Sequence, residues 1–152
     1  FRVDDGGVAL VGAFSDGQGQ ALSPTVTPRA KSGNATHDVS VTQTSRQDTR
    51  TITVLRFGTS DTFPGGPMMV TPYGSHVDFS VGSEIVRVGT APGIVGPSVS
   101  STGPLWIARL VAGNPVDVLA VGSEPGDAVE IHAYGQSSRG NGCVSWATEP
   151  KQ

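Results

Sequence analysis

The chain has 152 residues, a length that suits one domain with a core of its own, and its single cysteine allows neither an internal disulfide nor a thiolate-based zinc site. The formal net charge of −3 offers no clustered basic footprint, so we expect no nucleic-acid partner. No apolar run approaches the ~18 residues of a membrane span, and no motif indicates a cofactor or a metal.

The composition predicts an all-β protein. Valine occurs 20 times against 6 leucines, with 14 threonines, and such β-branched residues favour pleated surfaces. Good surface-helix formers are scarce, with only 2 lysines and 4 glutamates. Glycine and proline supply 32 of the 152 residues, well above average usage, and this excess indicates frequent turns between short strands.

The first half of the chain predicts strands separated by turn-rich segments. Two prolines limit residues 23–34 to an edge strand or an extended connection, because proline cannot donate to a ladder. Residues 58–75 contain three prolines and four glycines around one short strand, 68–70. The remaining strands predicted here are 6–14, 37–43 and 50–57.

Residues 77–89 read as an antiparallel hairpin turning at Gly82-Ser83, because glycine accepts the positive φ of a two-residue turn. This register places Asp78 opposite Arg87 as an opposite-charge pair, and we expect that pair on a face open to water. The opposite face is the apolar one, made of Val77, Phe79, Val86 and Val88.

The second half predicts one more hairpin and two further strands. Residues 90–104 read as a long polar connection, followed by a hairpin over 105–122 that turns near Gly113-Asn114. Both faces of that hairpin carry apolar residues, a pattern typical of strands covered on both sides. Residues 127–134 alternate, with Val129, Ile131 and Ala133 inward and Glu130, His132 and Tyr134 outward. A polar tip over 135–142 leads to the last strand, 143–148.

Nine or ten short strands with turns every 8–12 residues predict an antiparallel β-sandwich, jelly-roll or Greek-key-like. We expect a single β-sandwich domain over residues 1–152. The long connections at 58–75 and 90–104 would let strands cross between the two sheets.

One constellation has the composition of a nucleophilic site. His37-Asp38, then Asp61 or Asp78, and finally Cys143 follow the order of the chymotrypsin-like proteases, and the segment "NATHD" resembles their histidine motif. That resemblance implies a thiolate activated by His37.

Other features favour a structural role for Cys143. Only nine residues follow it, whereas the second barrel of that family needs further strands, and Ser145 stands where the family has a glycine. We therefore expect Cys143 to be a small buried apolar group, and no catalytic residue.

Binding is the better-supported class of function. The loop 58–75 carries more apolar side chains than a solvated loop needs, and the segment 135–142 offers polar groups for hydrogen bonds. Trp106 and Trp146 are expected in the core, with an aromatic platform for sugar stacking as the alternative. The candidate binding residues are Phe63, Met68, Tyr73, Arg139 and Asn141.

The composition, rich in Val, Thr, Ser, Gly and Pro and poor in Lys, Glu and Cys, resembles that of viral coat and protruding domains. The sequence therefore predicts a non-catalytic structural or binding domain at a virion surface or outside the cell. Its expected partners are copies of itself, or a cell-surface receptor or glycan. The alternatives are a carbohydrate-binding module or lectin and, third, a small chymotrypsin-like cysteine protease.

Overall fold

The structure, a computed structural model, describes residues 1–5, 8–16, 18–31, 34–42, 51–59 and 67–148. Within these ranges every regular element is a β-strand, which confirms the all-β class, and the sheets are antiparallel. The strands are β1 (Arg2–Asp5), β2 (Val8–Asp16), β3 (Ala21–Leu22), β4 (Thr25–Lys31), β5 (Asn34–Ser40), β6 (Thr51–Thr59), β7 (Met69–Tyr73), β8 (His76–Val81), β9 (Glu84–Gly89), β10 (Gly93–Gly96), β11 (Val99–Ser101), β12 (Leu105–Val111), β13 (Asn114–Val121), β14 (Ala128–Ala133), β15 (Gln136–Asn141) and β16 (Cys143–Ala147).

The chain divides into two compact units. The first contains Phe1–Pro72 with Phe79–Gly82, and the second contains Tyr73–Asp78 with Ser83–Gln152. The single domain expected over residues 1–152 stays a prediction.

In the first unit, β2 is the central strand of a four-stranded sheet. It pairs along its whole length with β6, and β1 and β3 pair with its other edge. Ala9, Val11 and Ala13 alternate along β2 and are buried, as is Val54 on β6. Strands β4 and β5 form a separate two-stranded hairpin.

The second unit has the two-layer arrangement of a β-sandwich. Strands β9, β12, β13 and β16 belong to a six-stranded sheet of order β16-β13-β12-β9-β8-β7. The other layer is a four-stranded sheet of order β10-β11-β14-β15. One apolar cluster joins alternate residues from the inner faces of both sheets. Its buried members are Val95, Val99, Trp106, Ala108, Leu110, Val118, Ala120, Val129, Ile131 and Ala133.

Strand β12 shows why this chain packs as it does. Its side chains alternate strictly, so that Trp106, Ala108 and Leu110 are buried while their neighbours are exposed. The Trp106 indole N–H donates to the Ala91 carbonyl at 2.8 Å, which satisfies the polar end of a buried aromatic side chain. Gly89 lies opposite Trp106 in the register, and the indole ring occupies the space that a Cβ at Gly89 would need.

The hairpin predicted over 77–89 is confirmed as β8 and β9, which are neighbours in the six-stranded sheet and turn at Gly82-Ser83 with a Gly82 φ of 60°. Asp78 and Arg87 pair across it as predicted. The expectation that this pair lies on a face open to water is wrong, because Asp78 is buried and Arg87 donates to the Val95 carbonyl of the opposite sheet at 3.0 Å. The pair therefore lies inside the sandwich.

Two segments expected to be irregular form strands. Residues 90–104 contain β10 and β11, and the polar tip 135–142 contains β15, which pairs along β14. Neither segment has the apolar alternation that predicts a strand. Each is regular because its backbone pairs with a neighbouring strand that lies beside it only in the folded chain. These three strands, together with β1 and β3, contribute to the sixteen strands described, where nine or ten were predicted.

Candidate binding surfaces

The outer face of β12 and β13 carries a row of exposed aliphatic side chains, which we call the apolar strip. Its members are Leu105, Ile107, Val111 and Leu119. They are 39%, 40%, 36% and 41% exposed, although each is large enough to be at home in a core. The sequence predicted that this face would be covered, and the structure leaves it partly open to water.

A charged pair lies within the apolar strip. Ile107 stands opposite Leu119 in the register. The next pair on the same face, toward the β12–β13 turn, is Arg109 opposite Asp117. The Arg109 Nε donates to Asp117 Oδ2 at 2.7 Å, and both side chains are 43–50% exposed. One positive and one negative group therefore lie side by side among the four aliphatic side chains, and the apolar strip is taken from here on to include Arg109 and Asp117.

Strand β16 continues this face with small residues. In the register Ser145 stands opposite Leu119, and Cys143 opposite Val121. Cys143, Ser145 and Ala147 are all exposed, so the expectation that Cys143 is buried is wrong. Trp146 and Val144 alternate with them and pack against the core cluster instead.

The outer face of the four-stranded sheet is polar. Glu130 stands opposite Arg139, and His132 opposite Ser137, so that four polar side chains from β14 and β15 share one patch. Glu130 Oε1 lies 3.3 Å from Arg139 Nε, and its Oε2 lies 3.4 Å from His132 Nε2. We call Glu130, His132, Ser137 and Arg139 the polar cluster.

The chemistry of the polar cluster suits binding. The order Ser137–His132–Glu130, with 2.8 Å between Ser137 Oγ and His132 Nδ1, is that of a serine activated by an oriented imidazole. However, His132 is 47% and Arg139 is 67% exposed, so the cluster lies on an open, hydrated sheet face, where electrostatic stabilisation of a reacting group is weak. The cluster presents its hydrogen-bond donors and acceptors to the solvent.

The two tryptophans have different environments. Trp106 is fully buried, as expected for a core residue, and Trp146 is half-buried. Tyr134 was predicted to point outward and is half exposed in the structure. Its ring centroid lies 5.7 Å from that of Trp146. Tyr134 keeps 52% exposure in this pair.

Of the five sequence-predicted binding residues, the structure brings only Arg139 and Asn141 onto one face among the described residues. Met68 is buried, at 5% exposure, and Phe63 lies outside the described residues. Tyr73 is half exposed and stacks on His76 with ring centroids 5.0 Å apart. Arg139 and Asn141 lie two residues apart on the same face of β15, and Arg139 belongs to the polar cluster. Their roles in binding stay predictions.

Asn141 lines an open groove of about 450 Å³ with Cys143. Backbone hydrogen bonds hold the walls of this groove: Gly122 N donates to Gly142 O at 2.7 Å, and Gly142 N donates to Asp127 O at 2.7 Å.

The protease-like constellation finds little support in the geometry. Both Asp78 carboxylate oxygens bind Arg87, at 2.7 and 2.8 Å, so this acid is engaged with a guanidinium group. The backbone of His37 lies in β5, and Cys143 begins β16. Asp61 lies outside the described residues.

No protein-family model, curated protein or solved structure matches this chain. The described residues contain no group of three or more His, Cys, Asp or Glu side chains able to hold a metal ion. They also contain no helix with the length and apolar character needed to cross a bilayer.

Sequence reasoning missed the apolar strip as a site, although its signal was visible. Residues 105–121 are apolar on both faces, which fits either a strand buried on both sides or a strand with one face reserved for a partner. The alternation alone does not distinguish the two, because the cover on each face comes from distant parts of the chain.

Proposed function

We propose that this chain is a non-catalytic β-sandwich domain that self-associates and displays a binding surface, like a viral capsid or protruding domain. It would act at a virion surface or outside the cell. The observation that carries this proposal is the apolar strip: Leu105, Ile107, Val111 and Leu119 share one face of β12 and β13, and each is more than a third exposed. Contiguous apolar side chains on a sheet face commonly mark a surface that contacts another protein.

Sedimentation velocity over a wide range of protein concentration tests self-association. The expected result is a discrete oligomer whose population rises with concentration. A strictly monomeric profile at millimolar concentration would remove self-association from the proposal and leave display alone.

The second candidate function is carbohydrate binding, and the polar cluster favours it. Glu130 offers carboxylate oxygens as acceptors, Arg139 offers guanidinium donors, and Ser137 offers a hydroxyl group, all on one face. Such a set matches the paired hydroxyl groups of a sugar, each of which both donates and accepts. The half-exposed Tyr134 ring would add a stacking surface nearby.

A glycan array followed by titration calorimetry on any hit tests this second function. Arg139→Met and Glu130→Gln are expected to weaken binding of the hit by about tenfold each, because each removes one charged hydrogen-bonding partner. Gln18→Ala, an exposed polar change in the first unit, is the control and should bind as the unaltered protein does. An array without hits would reject the carbohydrate function.

A further inference from the structure

We propose that two copies of this chain associate face to face through the apolar strip. The two-fold axis lies in the interface, parallel to the strands and above the line midway between β12 and β13. This inference rests on the proposed self-association and names its geometry. Each copy would place Arg109 against Asp117 of the other copy and Ile107 against Leu119 of the other copy.

The geometry follows from the register within one chain. Arg109 and Asp117 stand at the same level on adjacent strands, and so do Ile107 and Leu119. A two-fold axis that runs along the strands between β12 and β13 exchanges the two strands while keeping every level. Each side chain on β12 therefore faces, across the interface, the residue that is its own cross-strand neighbour.

Charge complementarity selects a second copy as the occupant. The strip presents one cation and one anion side by side, and the two-fold operation places the opposite charge over each of them. Apolar residues meet apolar residues at the Ile107 level by the same operation. A surface with these properties is self-complementary, because it needs no partner sequence other than its own.

The size of the strip sets the expected affinity. β12 has seven residues and β13 eight, so the two strands present a face about 25 Å long and about 10 Å wide. Since a stable interface buries about 800 Å² on each partner, this interface is small, and the dimer should dissociate on dilution.

Reciprocal charge reversal tests the geometry. Arg109→Asp gives a copy with two anions in the strip, and Asp117→Arg gives a copy with two cations. Each variant alone should associate more than about tenfold more weakly than the unaltered protein, because like charges would face each other twice. An equimolar mixture of the two variants should recover the dimer, since every facing pair is then of opposite sign.

Sedimentation velocity on the unaltered protein, on each variant and on the mixture gives four distinguishable outcomes. Loss of the dimer in both variants with recovery in the mixture supports an interface in which Arg109 and Asp117 of one copy face the same two positions of the other copy. Dimers in each variant alone would overturn the axis while leaving self-association intact. Variants that are monomeric both alone and mixed would also overturn it, and a monomeric unaltered protein would overturn the inference together with the self-association on which it rests.

A matched apolar pair guards against loss of folding. Ile107→Asp places a charge in the strip and should abolish the dimer. Ile94→Asp makes the same change on the outer face of the other sheet, where Ile94 is 74% exposed, and should leave the dimer unchanged. Equal loss in both variants would contradict the proposed surface.

Discussion

Asp78 and Arg87 form a two-point ion pair inside the sandwich. Arg87 Nε donates to Asp78 Oδ1 at 2.7 Å and Nη2 donates to Oδ2 at 2.8 Å, while the Asp78 side chain is only 7% exposed. The hydrogen bonds to Asp78 raise the pKa of Arg87, so this cation stays charged. The pair links the β8–β9 hairpin to β10 through the Val95 carbonyl.

Breaking this pair should be strongly destabilising. Asp78→Asn keeps one oxygen acceptor but removes the negative charge beside the Arg87 guanidinium in a low-dielectric interior. We therefore expect a loss of about 2–4 kcal/mol in the free energy of unfolding. Urea denaturation followed by tryptophan fluorescence measures it, because Trp106 lies in the same unit.

The exposed pair provides the matched control. Asp117→Asn breaks the Arg109–Asp117 contact of the same length at the surface, and should change the free energy of unfolding by no more than about 1 kcal/mol. Equal losses for the two variants would contradict the burial of the Asp78–Arg87 pair. Measurements belong at low protein concentration, where the proposed dimer is dissociated.

His76 should make stability depend on pH. Burial and the nearby Arg87 lower its pKa from 6.5, although Asp78, 3.7 Å away, opposes them. Tyr73 and Trp106 cover the ring, and its Nε2 is buried with no hydrogen-bond partner among the described residues. As pH falls through 6.5, the unfolded chain therefore binds a proton before the folded chain does, and stability declines until the folded pKa is passed.

Thermal melting between pH 7.5 and pH 5 measures this decline. His76→Phe keeps an aromatic ring beside Tyr73 and Trp106 but cannot titrate, so its melting temperature should fall less over the same range. Parallel curves for the two proteins would show that His76 does not contribute, and a ring-proton NMR titration of His76 would then give an unshifted pKa.

Gly89 should tolerate no side chain. A Cβ at this position would overlap Trp106 Cε2, and the indole ring is buried in a close-packed interior. Gly89→Ala is expected to cost about 1–3 kcal/mol and to broaden the near-ultraviolet circular dichroism of Trp106.

Gly126→Ala is the control for this substitution, because nothing lies within 4 Å of a Cβ at Gly126. Its free energy of unfolding should stay within about 0.5 kcal/mol of the unaltered value. If Gly89→Ala were equally neutral, the close approach of Trp106 to β9 would be incorrect.

Cys143 should react readily in the folded protein, because it is exposed at the start of β16. Native protein is expected to take up one equivalent of a disulfide reagent within minutes, without denaturant. Labelling by iodoacetamide should be no faster than that of free cysteine near neutral pH. Labelling that requires denaturant would contradict the exposure, whereas labelling much faster than that of free cysteine would revive the protease alternative.

Local sequence was sufficient for several elements of the second unit. The turn at Gly82-Ser83, the pairing of Asp78 with Arg87 and the inward residues Val129, Ile131 and Ala133 followed from alternation and turn chemistry alone. The predicted turn of the second hairpin was one residue late, since the turn lies at Ala112-Gly113 and Asn114 begins β13. These features depend on residues close together in the chain, which is why periodicity is enough to find them.

What the sequence determined by itself was the all-β class and which residues share each face of a strand, because side-chain alternation is a property of the strand alone. Only the tertiary structure decided which of two faces is covered. It buried Asp78 and left Arg87 only 18% exposed, although both were expected in water, and it left Leu105, Ile107, Val111 and Leu119 partly open, although a cover was expected. The physical reason is that burial is set by whatever sheet packs above a face, and that sheet comes from strands such as β10 and β15 that acquire their regularity only by pairing.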